Sequence, residues 1–161
     1  MSPARTRTRP PAAGRRAPAP PRPRRTLLFC PATEARKIEK AAGLPVDGVI
    51  LDLEDGVALG RKDEARREAA RALSRLDFGR AERLVRVNPE GAGLEEDVRI
   101  TGESRPPPDA YVLPKVESPA AIRKLSRLLS GIERRHRLPG RTIRILAIIE
   151  TARGEIGRAH V

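Results

Sequence analysis

Val49-Ile50-Leu51-Asp52-Leu53-Glu54-Asp55-Gly56-Val57 is an apolar run that climbs into three carboxylates and breaks at a glycine. Short apolar runs with β-branched residues read as strands buried on both faces of a parallel sheet. A strand that ends in acids presents them at its C-terminal edge, where α/β folds place their ligands. Two later stretches end in polar residues suited to the same edge. Leu84-Val85-Arg86-Val87-Asn88-Pro89 ends near an arginine, and Ile143-Arg144-Ile145-Leu146-Ala147-Ile148-Ile149-Glu150-Thr151 ends in a glutamate.

Working outward from that stretch gives a regular alternation. Arg25 to Pro31 reads as a first short strand, closed by proline. Thr33 is a candidate N-cap for a helix over Glu34 to Ala42, stopped by Gly43. Pro45 to Leu53 is the second strand. Arg61 to Leu76 is the clearest helix, because Ala65, Ala69, Leu73 and Leu76 form one apolar stripe. Arg83 to Asn88 is a third strand, Leu94 to Ile100 a short helix and Ala110 to Leu113 a fourth strand. Ser118-Pro119 opens a helix that turns Ile122, Leu125, Leu128, Leu129 and Ile132 inward. Thr142 to Ile149 is the fifth strand. Repeated βα units imply a parallel sheet. No Gly-x-Gly-x-x-Gly follows the first strand, so the dinucleotide fingerprint is missing. Two architectures fit: a complete flavodoxin-like sheet, or a (β/α)8 TIM barrel truncated after about five strands.

Composition limits the partners. Of the formal net charge of +12, two-thirds comes from the eight arginines within residues 1–25, which contain no acid. That Arg/Pro-rich stretch reads as a disordered, solvated tail. Nucleic-acid contact is not expected of the remainder, whose charge is ordinary. One cysteine, Cys30, excludes an internal disulfide and fits a reducing, cytoplasmic setting. No apolar run approaches the roughly 20 residues of a membrane span.

The strand-end residues admit two readings. Asp52, Glu54 and Asp55 can close a turn, with Arg86 as their structural partner. Glu150, at the end of an apolar strand, reads as a buried carboxylate that needs a cation or donors. Alternatively, the carboxylates offer oxygen to Mg²⁺, which keeps waters and takes oxygens from its substrate. An arginine beside such a metal grips a carboxylate and stabilises a developing oxyanion. Metal and arginine together suit enolate or aldol chemistry.

Arg25-Thr26-Leu27-Leu28-Phe29-Cys30-Pro31, Asp47 to Val57, Lys62 with Ala65-Arg66, Arg86-Val87-Asn88-Pro89, Leu113-Pro114-Lys115-Val116-Glu117-Ser118 and Ile149-Glu150-Thr151-Ala152 follow one another here. In these stretches, and in their order, the chain resembles the HpcH/HpaI aldolase and citrate lyase β-subunit superfamily of CoA-ester lyases. The resemblance spans residues 25–154 and implies a TIM barrel that acts on a C–C bond of an acyl-CoA thioester. It implies that Glu150 binds Mg²⁺ and faces the substrate, and that Arg86 holds the substrate's oxygens. Glu54 and Asp55 match the acidic pair beside the site. Lys62 falls where basic residues approach CoA. Lys115 matches a strand-end structural residue rather than a Schiff-base lysine.

The implied activity is retro-aldol or Claisen cleavage of a β-hydroxyacyl-CoA of the citryl-CoA or malyl-CoA type, in a homo-oligomer when full length. The alternatives are a metal-dependent aldolase on free keto acids, or a non-catalytic fragment whose basic tail contacts nucleic acid. Two departures stand out: Ala32 replaces a common glycine, and the family's second metal ligand, in a Gly-x-x-Asp stretch, has no counterpart here. The lyase domain is therefore expected to be partial, over residues 26–154, and the chain itself inactive. Glu155-Ile156-Gly157-Arg158-Ala159-His160-Val161 can be encoded by GAGATCGGAAGAGCACACGTC, a common sequencing-adapter sequence. Residues 155–161 are therefore expected to be non-native, and the coding DNA decides this.

Overall fold

A computed structural model describes residues 23–158. The strands are β1 (Leu27–Pro31), β2 (Gly48–Asp52), β3 (Glu82–Arg86), β4 (Ala110–Leu113) and β5 (Arg144–Ala147). The helices are α1 (Ala35–Ala42), α2 (Lys62–Arg75), α3 (Leu94–Thr101), α4 (Pro119–Arg135) and α5 (Ala152–Arg158), with a 3₁₀ turn at Leu59–Arg61. All neighbouring strands pair in parallel, in the order β1-β2-β3-β4-β5. A flavodoxin-like sheet would run 2-1-3-4-5. The observed order is that of a sheet winding in one direction, as in a (β/α)8 barrel, and it is unclosed among the described residues.

The two faces of the sheet differ, as strand alternation requires. Val49, Leu51, Val85, Tyr111 and Leu113 point into the main core beneath the helices. Ile50, Leu84, Ala110 and Val112 form a second apolar cluster with Leu27, Leu146 and Ile148, and no helix contributes to it. That face corresponds to a barrel interior. Every residue of β2 is buried, which its unbroken apolar run anticipates. Helix α2 buries Ala65, Ala69, Ala72 and Leu73, and α4 buries Leu125, Leu129 and Ile132. Each of those large aliphatics is worth about 1.5–3 kcal/mol when taken from water.

Some local expectations are corrected. The residue before α1 is Glu34, not Thr33, and neither it nor Ser118 before α4 caps its helix through a side chain. Pro119 alone marks the start of α4. Within the expected tail, Arg24 is paired with Glu82 and Arg25 with Asp47, while residues 1–22 lie outside the described residues. Helix α5 reaches Arg158, into the segment expected to be non-native, whose remaining residues, His160 among them, also lie outside.

The strand starts gather a separate ionic cluster. Glu82, the first residue of β3, is buried and accepts from Arg24 Nε at 2.5 Å and from Arg144 Nη1 at 3.0 Å. A cavity of about 450 Å³ also opens at this end, beside Leu73, Phe78, Arg83 and Asp109, and touches none of the strand-end acids. No helix among the described residues is long and apolar enough to cross a membrane.

Candidate functional site

The acidic stretch that ends β2 folds back on its own aspartate. Asp52 Oδ1 accepts from the Glu54 N–H and Oδ2 from the Gly56 N–H, each at 2.9 Å. This is the side-chain-to-backbone turn for which aspartate is suited. A Cβ on residue 56 would collide with Asp52 Oδ2, so the turn needs glycine there. The loop's carbonyls are held from behind. Lys62 Nζ donates to Leu53 O and Glu54 O at 2.7 Å each, and to Asn88 Oδ1 at 2.8 Å. Asn88 donates in turn to Leu53 O and to Asp97, which is fully buried and paired with Arg66 at 2.6 Å. Burial pushes the Lys62 ammonium below its ordinary value, against the attraction of Asp97 and the loop acids.

Arg86, the last residue of β3, sits in register beside Asp52. Its Nε and Nη2 form a bidentate pair with the Asp52 carboxylate, both at 2.7 Å, and its guanidinium lies 4.9 Å from the centroid of the Phe29 ring. Burial pushes the Asp52 carboxyl up, but the Arg86 hydrogen bonds and charge and the two backbone N–H groups together hold it below 3.8. The Arg86 guanidinium is held above its ordinary value, first by the Asp52 hydrogen bond and against its own desolvation.

Glu54 is 3% exposed. Its Oε2 lies 2.9 Å from Arg86 Nη1, yet it accepts no well-aligned hydrogen bond. The contact is thus an ion pair without hydrogen-bond geometry, and the charge attraction, which depends little on angle, is the part to rely on. Glu54 Oε1 is taken by Lys115 Nζ at 2.5 Å. Asp55 is more open, 3.4 Å from Lys115 Nζ and 3.9 Å from Arg86 Nη1. Glu150 completes the group: its Oε1 accepts from the Lys115 backbone N–H at 3.0 Å.

The rim therefore brings Arg86, Glu54 and Asp55 into direct contact, and ties Glu150 to them through Lys115. Glu150 itself is exposed, not buried as its strand suggested, because β5 ends at Ala147 and the chain has left the sheet. Lys62 lies beneath the rim with all three of its N–H donors engaged by the protein. Sequence reasoning offers Asp52 a share in the turn or in metal binding, and gives Asn88 and Asp97 no role. An acid at an inward position of the α3 pattern was the available signal for Asp97.

Among the described residues, no three His, Cys, Asp or Glu side chains are placed to hold a metal ion. Asp52 and Glu54 are committed to Arg86 and Lys115. Among the described residues, none pairs with the second carboxylate oxygen of Glu150. Mg²⁺ commonly binds through one or two carboxylates and completes its shell with water and substrate oxygens. Glu150 fits that pattern as a single protein donor.

A family model described as HpcH/HpaI aldolase/citrate lyase matches residues 25–157. Human mitochondrial citramalyl-CoA lyase is 39% identical over 133 residues, 82% of this chain and 39% of that protein. A (3S)-malyl-CoA thioesterase of Cereibacter sphaeroides is 33% identical over 142 residues, 86% of this chain and 45% of that one. The chain thus spans less than half the length of these relatives. The crystal structure of CitE from Mycobacterium tuberculosis with magnesium, acetoacetate and coenzyme A superposes with a TM-score of 0.60 at 34% identity, covering 81% of this chain and 41% of the other. The family match begins before β1 and ends inside α5, so it takes in the whole sheet and its acid rim, and the chain belongs to the HpcH/HpaI aldolase/citrate lyase family, which includes carbon–carbon lyases.

Proposed function

We propose that this chain supplies one side of the active rim of a Mg²⁺-dependent lyase that cleaves a β-hydroxyacyl-CoA to a keto acid and an acyl-CoA. The observation that carries this reading is the meeting of Arg86 with the β2 acids at the rim that also presents Glu150. Glu150 would hold the Mg²⁺, and the bound ion would polarise the substrate oxygens. Arg86 donates two of its five N–H groups to Asp52 and pairs with Glu54 by charge alone. Its remaining N–H groups suit the carboxylate of the keto-acid half. Asp52 and Glu54 hold that guanidinium in place rather than react. Asp55, the exposed acid, takes the proton of the β-hydroxyl. As the C–O bond becomes a carbonyl, the C–C bond breaks and its electron pair passes to the thioester as an enolate. Protonation of the enolate yields the acyl-CoA. Lys62 braces the acid loop through its bonds to Leu53 O, Glu54 O and Asn88 Oδ1.

The test is a chimera in which residues 25–157 replace the matching segment of the human relative. It should release keto acid from citramalyl-CoA, and Arg86→Ala within it should lower kcat/KM by about 10²–10³-fold, the usual cost of a lost oxyanion donor. An unchanged kcat/KM removes Arg86 from the mechanism. Release of CoA thiol without keto acid would favour thioester hydrolysis instead.

A further inference from the structure

Lys115 stands two residues past β4 with φ +52. Glycine occupies that left-handed region freely, whereas an L side chain meets steric opposition there. A lysine in that conformation persists when its surroundings hold it, and such positions cluster at functional sites. Both ends of this residue are held. Its ammonium reaches past the end of β3 to Glu54 Oε1 at 2.5 Å and Asp55 Oδ1 at 3.4 Å. Its backbone N–H donates to Glu150 Oε1 at 3.0 Å. It is the described residue that hydrogen-bonds both the β2 acid loop and the carboxylate beyond β5.

We propose that Lys115 is the positioning residue of this rim: its side chain pins the acid loop, its amide pins Glu150, and the left-handed backbone makes the two pins compatible. That the rim takes a metal and a thioester rests on the function proposed above; the mechanical coupling does not. A lysine that acted only as a counter-charge would behave differently. Removing its charge would tighten cation binding at Glu150, whereas removing a positioning residue weakens it.

Hydrogen exchange on the metal-free 161-residue chain, read for segments 53–57 and 114–116, separates the two pins. Lys115→Met loses the ammonium and leaves its left-handed backbone held only by the amide bonds of residues 115 and 116, so exchange should rise about tenfold in both segments. Lys115→Gly keeps the backbone conformation without the side chain, so only segment 53–57 should rise. Lys115→Arg should restore both. The glycine variant relieves the steric opposition, so it serves if the methionine variant fails to fold. Mn²⁺ binding, followed by electron paramagnetic resonance, should weaken about fivefold in Lys115→Met and recover in Lys115→Arg. Unchanged exchange in segment 53–57 in the glycine and methionine variants overturns the proposal, and so does tighter Mn²⁺ binding by the methionine variant. Absence of Mn²⁺ binding by the unaltered chain would sink the metal reading and leave the exchange result to decide on Lys115.

Discussion

Replacing Arg86 by methionine removes the cation around which two buried carboxylates are arranged. The Arg86 side chain is 13% exposed, that of Asp52 5% and that of Glu54 3%. Breaking a buried pair by deleting one partner costs about 3–5 kcal/mol, because the remaining charge is left in a poor solvent. Asp52 would still accept from the Glu54 and Gly56 amides, and Glu54 would keep Lys115. Those remaining partners place the expected loss near the lower end, about 3 kcal/mol. With a urea dependence of about 1–3 kcal/mol/M, the unfolding midpoint should fall by about 1–3 M. The loss also has a sign in pH. The folded-state Asp52 carboxyl lies below 3.8, so its contribution is present above the unfolded pKa and disappears as pH falls through the folded value. Without Arg86, burial dominates and this contribution is gone, so variant and parent should converge as pH falls through the parent's folded-state value. Adding Asp52→Asn should recover part of the loss at neutral pH. A midpoint shift below about 0.3 M, or a loss that does not depend on pH, would refute the view that Arg86 is balanced against a buried acid.

Lys62→Met removes three hydrogen bonds and leaves the buried Asn88 Oδ1 without its donor, while Leu53 O keeps Asn88 Nδ2 and Glu54 O keeps the Val57 N–H; it should cost about 1–2 kcal/mol by urea unfolding. Weaker CoA binding by calorimetry with no loss of stability would instead make Lys62 a ligand contact. Gly93, at φ +118 before α3, admits no Cβ because Arg66 Nη2 occupies the space; Gly93→Ala should cost about 1–3 kcal/mol in thermal unfolding. The Asp47 carboxyl, held first by the Arg25 side-chain hydrogen bond, should titrate at about 2 by NMR. Arg25→Ala should return it toward 3.8, and the stability it lends above the unfolded pKa should fade as pH drops through about 2.

The sheet was legible because Val49–Leu51 and Ile145–Ile149 are uninterrupted apolar runs and because α2 and α4 carry their apolar residues at helical spacing. Sequence left open which strands neighbour one another, since a flavodoxin-like sheet and a barrel share the same βα alternation. Strand order is a property of the crossovers, and no single stretch encodes it. At the rim, Glu54, Asp55, Arg86 and Glu150 could be picked out because charge at the end of an apolar strand is costly. Lys115 and Lys62 could not be ranked the same way. Their roles depend on a backbone conformation and on partners up to 61 residues away in sequence, and neither leaves a local pattern. Helix α5 and the engagement of Arg24 are tertiary outcomes of the same kind.

The cluster around Glu82 also ties the margins of the sheet to its centre. Strands lie about 4.8 Å apart, so β3 and β5 stand about 10 Å from each other. The Arg144 side chain crosses that gap to Glu82 at 3.0 Å, and Arg24, just ahead of β1, reaches the same carboxylate. One buried acid thus answers to both edges, as a single knot gathers two threads. Glu82→Ala would loosen both threads at once, at the end of the sheet away from the acid rim.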